Sequence, residues 1–177
     1  MKVKQYLSEA YRSIYENDFE KALYWFEQAL SIEPDNADLH YRHSITSARS
    51  NCLDKALVHA SIATTLAPNH KEYVLHFDCL RAKELLGIAR RHLEGAADDT
   101  INRSERAVRL LARAGELDPL SVEVQAWLAI AYGEMGRYDA ALSALREAYS
   151  LPQDEVVTRQ LAELEQQLEN KLNQSST

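Results

Sequence analysis

The sequence contains few of the residues that cross-link a chain or interrupt its regular structure. Its 177 residues include two cysteines, five glycines and four prolines. Two cysteines with no recognisable spacing exclude a disulfide framework and fit a reducing compartment, so a cytoplasmic location is expected. The glycines form no phosphate-binding loop, and the sequence contains neither a nucleophile elbow nor a paired-cysteine zinc motif.

Long apolar runs and an excess of positive charge are absent as well. No apolar run approaches the roughly 18 residues of a membrane helix, and residues 1–6 lack the apolar core of a secretory signal. The 27 acidic residues outnumber the 20 basic ones and give a net charge of −7. This balance argues against general nucleic-acid binding. The length suits a single domain with a sizeable core, and we expect one domain over residues 1–177.

What the sequence does contain is an internal repeat. Ala22, Ala29 and Pro34 recur as Ala56, Ala63 and Pro68, each 34 residues later. A third copy contains Ala107, Leu111, Ala114 and Pro119. A fourth contains Tyr138, Ala141, Leu142, Leu145, Ala148 and Pro152. A fixed period of this size is typical of a solenoid, in which each unit packs only on its neighbours.

Each copy predicts an amphipathic helix that ends before a proline. The residues that recur in each copy lie three, four and seven positions apart, which places them on one face of an α-helix. Small residues such as Ala22 and Ala29 let a neighbouring helix approach closely. The proline lacks an N–H group and disfavours helical conformation in the residue before it, so each helix stops there. In the second and fourth copies this helix should span residues 53–66 and 138–150.

These residues resemble the tetratricopeptide repeat, a helix-turn-helix unit of the same length. The second half of the family pattern is well matched in copies one, two and four. The first half is weaker, because copy two places His40, His43 and Ser44 where apolar residues usually occur. The resemblance covers residues 3–152 and implies an all-α, right-handed superhelical solenoid of about four helix pairs.

The boundaries of the repeats follow from the positions of the recurring alanines and prolines. We expect repeats at 3–36, 37–70, 71–121 and 122–153, each made of a helix A and a helix B. Pro68 and Pro119 are 51 residues apart, 17 more than one period. The third repeat therefore contains an insertion, with one long helix over 70–94, a break near Gly95 to Thr100 and a second helix over 101–116. This pair should form an elongated hairpin.

A last helix is predicted over residues 154–172. Its apolar stripe consists of Val157, Leu161, Leu164, Leu168 and Leu172. A solenoid needs a terminal helix with a polar outer face, so this helix is expected to cap the fourth repeat. The same narrow stripe also fits a short coiled coil, which leaves a homodimer through this helix open.

The sequence shows no catalytic constellation. His40 with His43, and His76 with Cys79, are pairs three positions apart on a helix that could share a metal ion. No third ligand is clearly positioned for either pair, and the acidic residues are spread over the helix surfaces. We therefore expect neither a metal site nor a cofactor, and a protein that is not an enzyme.

The resemblance implies a binding surface instead. In the family the A helices line a concave groove that binds a peptide or helix of a partner protein. The corresponding residues here are Arg12, Tyr15, Tyr41, Arg42, Ile45, Arg49, Leu75, Cys79, Lys83, Trp127 and Ile130. Two alternatives remain: Trp127 and Ile130 could pack between helices, and the arginines could pair with acids of their own chain. Cochaperones of this family bind the acidic C-terminal tail of a partner, but this use is disfavoured here because Glu72 would repel a carboxylate.

The inserted hairpin offers a second surface. Arg103, Arg106, Arg109 and Arg113 fall within about a third of the circumference of one helix. This stripe could receive an acidic segment of a partner, or it could be a solvated face paired with Glu105 and Glu116. The sequence thus predicts a protein-interaction adaptor with no membrane partner. Two rivals are a dedicated chaperone similar to secretion chaperones, and an arginine-mediated binder of phosphorylated or nucleic-acid ligands.

Overall fold

A computed structural model of the protein describes residues 2–95 and 100–175. Over these residues all regular secondary structure is α-helical, which confirms the predicted all-α solenoid class. The helices are α1 (Lys2–Tyr15), α2 (Phe19–Leu30), α3 (Ala37–Arg49), α4 (Leu53–Leu66), α5 (Lys71–Glu94), α6 (Thr100–Leu117), α7 (Val122–Glu134), α8 (Tyr138–Ser150) and α9 (Glu155–Ser175). Most of the predicted break after Gly95 lies outside the described residues. The single domain and the repeat boundaries stay predictions.

The turn between helices A and B has the same backbone conformation in three repeats. Asn17, Asn51 and Gly136 have φ values of 59°, 61° and 70°. Each lies five residues before the first alanine of the repeat pattern in its helix B. In each turn, the residue after this left-handed residue donates its backbone N–H to the carbonyl oxygen five residues earlier, at 2.8–2.9 Å. This bond closes a Schellman motif, and glycine or asparagine tolerates the left-handed conformation that the motif requires.

The N-terminal unit (Met1–Leu80) contains α1 to α4 and the first part of α5. Helix α1 packs on α2, α2 on α3, and α3 on α4. Ala22, Ala29, Ala56 and Ala63 are fully buried at these contacts, as the repeat pattern predicts. Burial of small side chains lets the helix backbones approach, so these positions set the spacing between helices.

The C-terminal unit (Arg81–Thr177) contains the rest of α5 and α6 to α9 around one apolar core. The core includes Ala107, Leu111 and Ala114 of α6 together with the buried face of α8. Helix α9 packs on α7 and α8 and buries Leu161 and Leu168 in the same core. Two leucines of the α9 stripe are therefore used within the chain, as a capping helix requires.

Candidate interaction surfaces

An apolar groove lies between α7 and α9 in the C-terminal unit. Its volume is about 550 Å³. The lining residues are Arg90, Val122, Glu123, Ala126, Trp127, Ile130, Val157, Gln160, Leu161 and Leu164. The groove thus brings together Trp127 and Ile130, two of the residues predicted from the family resemblance. Its other wall comes from α9, which the sequence predicted as a cap or as a dimer helix.

Arg90 extends over one side of this groove. Its guanidinium carbon lies 5.1 Å from the centre of the Trp127 ring. Its Nη2 atom donates to Oε1 of Glu94 at 3.3 Å, a bond between residues one helical turn apart. The cation–π contact and this ion pair both orient the guanidinium. The groove therefore combines a half-buried indole, an aliphatic floor and one oriented cation. Sequence reasoning missed Arg90, because its contact with Trp127 joins different helices.

In the N-terminal unit, two of the predicted groove residues on α3, Tyr41 and Arg42, contact aromatic rings of neighbouring helices. The Tyr41 ring lies 4.6 Å from Tyr73 of α5 and meets His76 edge-on at 5.3 Å. Arg42 lies 5.6 Å from the centre of the Tyr11 ring of α1. Burial is the main cause that raises the pKa of Tyr11, Tyr41 and Tyr73, so these phenols stay neutral near neutral pH.

Arg42 is also held by an ion pair within its own helix. Its Nε atom donates to Oδ2 of Asp38 at 2.6 Å, and this hydrogen bond is the main cause that raises the Arg42 pKa. Arg12 makes the same kind of pair with Glu16 at 3.1 Å. For these two arginines, the structure shows the alternative in which the guanidinium pairs with an acid of its own chain. Both pairs are exposed enough that each contributes little to stability.

The remaining predicted groove residues differ in exposure. Tyr15 is 90% exposed. Arg49 lies over Phe19 at the start of α2, 5.0 Å from the ring centre, and Ile45 is half-buried. Lys83 and Leu75 are exposed, and Cys79 is half-buried. Burial alone does not show that any of these residues binds a partner, and their role stays a prediction.

The four arginines of α6 do not form one continuous stripe. Arg103 is half-buried, and its Nη2 atom lies 3.3 Å from Oγ1 of Thr100. A Cβ atom on Gly95 would lie 3.7 Å from Arg103 Nη1, so this side chain points toward the end of α5. Arg106, Arg109 and Arg113 are exposed. Only the last three of the four predicted arginines are therefore exposed, and a role of the stripe in binding stays a prediction.

The polar residues of α3 that departed from the family pattern are buried. His40 Nε2 lies 2.9 Å from the Pro34 carbonyl oxygen, which can only accept, so Nε2 carries the proton. In the neutral ring His40 Nδ1 is then the acceptor, and His59 Nδ1 donates its N–H to it at 2.9 Å. Ser44 donates to the Ala56 carbonyl at 2.7 Å and accepts from His76 Nε2 at 2.9 Å. These bonds replace the apolar contacts that the repeat pattern would supply.

His43 lies at the centre of this polar core. It is fully buried and stacks on His59, with ring centres 3.6 Å apart. Its Nδ1 atom is bonded to Ser47 at 3.2 Å, whereas Nε2 is buried without a hydrogen-bond partner among the described residues. Burial is the main cause that lowers the pKa of His43 to about 3 and that of His59 to about 4. Both rings are therefore neutral at neutral pH.

His40 and His76, which the sequence offers as possible metal ligands, have other partners in the structure. His40 is bonded to His59 and Pro34, and His76 to Ser44. Within residues 2–95 and 100–175, no three histidine, cysteine or acidic side chains gather as a metal site would require. In the same described part, no helix combines the length and apolar character needed to cross a membrane.

Comparison with known proteins supports the repeat family. Residues 122–155 match the model of the tetratricopeptide repeat, which coincides with the predicted fourth repeat. The crystal structure of a MamA protein is similar with a TM-score of 0.56 and 15% identity, over 99% of this chain and 86% of that one. MamA 41-end from Desulfovibrio magneticus RS-1 gives a TM-score of 0.57 and 17% identity, over 98% and 92%. No curated protein matches the sequence.

At these identities the structural likeness shows the fold alone. Together with the matched repeat, it confirms the prediction made from the alanine and proline spacing. Residues 122–155 are similar to a tetratricopeptide repeat, and a repeat of this family supports a general role in protein interaction.

Proposed function

We propose that the protein is a non-enzymatic, cytoplasmic adaptor that binds a peptide or helix of a partner protein in the groove between α7 and α9. The observation that carries this proposal is the groove itself, which presents Trp127 and Ile130 beside the aliphatic wall of α9. Aromatic residues and arginines dominate the binding energy of many protein interfaces, and this groove presents one of each side by side.

The lining favours side chains of a protein over a polar small molecule. Seven of its ten residues are apolar, and the polar ones are Arg90, Glu123 and Gln160. Small-molecule sites usually place several polar groups so that they converge on the ligand. A groove between two helices instead suits apolar anchors at i, i+3 or i+4 and i+7 of a partner helix. Arg90 would then pair with a carboxylate at the edge of that helix.

The proposal is tested with peptides selected for binding to the intact chain. Because the sequence has two tryptophans, Trp25→Phe leaves Trp127 as the only indole, and its emission reports groove occupancy. A selected peptide should change this emission on binding. Trp127→Ala in the wild-type background should weaken the same peptide by more than about tenfold, since a central aromatic anchor contributes about 2 kcal/mol or more.

The matched control is Leu120→Ala. Leu120 is 72% exposed, belongs to the same unit and does not line the groove. This substitution removes an exposed apolar side chain outside the groove and should leave peptide affinity unchanged. If the selected peptides bind Trp127→Ala as tightly as the parent, the groove is not the binding site and the proposal is wrong.

A further inference from the structure

The exposed face of α6 carries a second, chemically different surface. With about 100° between successive residues, Arg106, Arg109 and Arg113 lie within an arc of about 60°. That arc lies away from the buried face of α6, which includes Leu111. Arg103 lies about 60° closer to the core, which explains why it is half-buried. The three exposed residues, Arg106, Arg109 and Arg113, make up the α6 arginine face.

Two of these three cations are not neutralised within the described part of the chain. Arg113 is paired with Glu116, one turn further along the helix. Arg106 and Arg109 are exposed and form no ion pair among residues 2–95 and 100–175. Like charges three or four residues apart repel each other and destabilise a helix. The chain keeps this repulsion although acidic residues outnumber basic ones by 27 to 20.

We propose that the α6 arginine face binds an acidic segment of a partner protein. Arginine presents a planar fork that binds a carboxylate through two parallel hydrogen bonds. Arg106 and Arg113 are about 10 Å apart along the helix axis, at a rise of about 1.5 Å per residue. An acidic segment with carboxylates one and two helical turns apart matches this spacing. Binding would relieve the repulsion between Arg106 and Arg109.

The size of the face favours a short acidic peptide over nucleic acid. The face is about as long as the screening distance at 0.1 M salt, about 10 Å. A short acidic segment therefore interacts mainly with the arginines. A duplex carries about one charge per 1.7 Å and extends well beyond the face, and the net charge of −7 on the chain opposes its approach. The inference is independent of the groove, because it involves none of the groove-lining residues.

The test measures binding of a fluorescein-labelled oligoglutamate peptide by fluorescence anisotropy at low and moderate salt. The double variant Arg106→Gln/Arg109→Gln removes the two cations that form no ion pair among the described residues. The control is Arg146→Gln/Arg159→Gln, which removes two exposed arginines from α8 and α9 of the same unit and changes net charge equally. We expect the first variant to raise Kd about tenfold and the control to bind as the parent does.

Further measurements separate this proposal from the groove and from a loss of folding. Trp127→Ala should leave oligoglutamate binding unchanged, which separates this proposal from the groove. Circular dichroism should be the same for both double variants, because all four substituted residues are exposed. The proposal is overturned if the parent chain does not bind the peptide at low salt, or if both double variants weaken it equally. Tighter binding of a single-stranded oligothymidylate than of oligoglutamate would also overturn it, in favour of a nucleic-acid ligand.

Discussion

The buried imidazole of His43 makes a quantitative prediction about acid stability. Its pKa is lowered from 6.5 to about 3, mainly by burial. Between these values the unfolded chain binds a proton that the folded chain does not, so stability falls as pH decreases. The contribution of the neutral ring is fully present above pH 6.5 and is lost progressively down to about pH 3. Lowering the pH from 7 to 5 should cost about 2 kcal/mol at this one site.

The groups around His43 support the direction of this shift. His40 and His59, and Lys55 of α4, each lower its pKa further, because positive charge on any of them disfavours a charged imidazole. Glu27 faces it with the opposite charge, with Oε1 3.9 Å from Nε2. That distance is too long for a hydrogen bond, and the Glu27 side chain is 55% exposed, so water weakens its attraction.

The substitution His43→Leu tests this reasoning. Leucine restores the apolar residue that the repeat pattern favours, has a similar size and cannot titrate. The loss of the Ser47 partner costs stability at every pH and does not change the slope. Urea unfolding should therefore show that the parent loses about 2 kcal/mol more than His43→Leu between pH 7 and pH 5.

The assay follows the N-terminal unit alone. Trp127→Phe, present in both chains, leaves Trp25 of α2 as the only indole, and this ring stacks on Tyr6 of α1 at 5.7 Å. Its emission reports unfolding of the unit that contains His43. If both chains lose the same free energy between pH 7 and pH 5, His43 is not held neutral by burial and the reasoning is refuted.

Three further predictions concern packing. Ala56→Leu should overpack the fully buried contact of α4 with α3 and cost about 1–3 kcal/mol in urea unfolding, whereas Val58→Leu, at a position 57% exposed, should change stability by less than about 0.5 kcal/mol. Leu168→Ala should cost about 2–5 kcal/mol because it opens a cavity in the core, and Val156→Ala, 64% exposed, should cost less than about 0.5 kcal/mol. Deletion of residues 153–177 should lower Tm or cause aggregation by uncovering α8; a truncated chain that is as stable and monomeric as the parent would show that α9 is not a cap.

The fold could be predicted because the repeat spacing and the packing express the same physical requirement. Ala56 and Ala63 must be small for α3 and α4 to approach, and both are fully buried. The prolines and the left-handed turn residues such as Gly136 then determine where helices end. Helices α4 and α8 begin and end at the predicted residues, because landmarks at both ends define them.

The candidate sites were harder to predict because they depend on contacts between helices. The pairing of Arg90 with Trp127 joins α5 to α7, and no spacing within either helix indicates it. The orientation of Arg103 could have been found, since the positions of Ala107 and Leu111 place it near the core side of α6. Counting all four arginines as one face ignored that position.

The polar residues of α3 show why a departure from a repeat pattern carries information about stability and not only about binding. His40, His43 and Ser44 occupy apolar positions, and the structure satisfies most of their polar atoms with hydrogen bonds inside the N-terminal unit. Burial favours the neutral form of His43 and of its stacking partner His59, so protonation of either ring weakens this packing. The lining of the groove in the C-terminal unit contains no histidine. Mild acid should therefore act on the stability of the first unit, while the apolar anchors and the arginine cations of the second keep their chemistry.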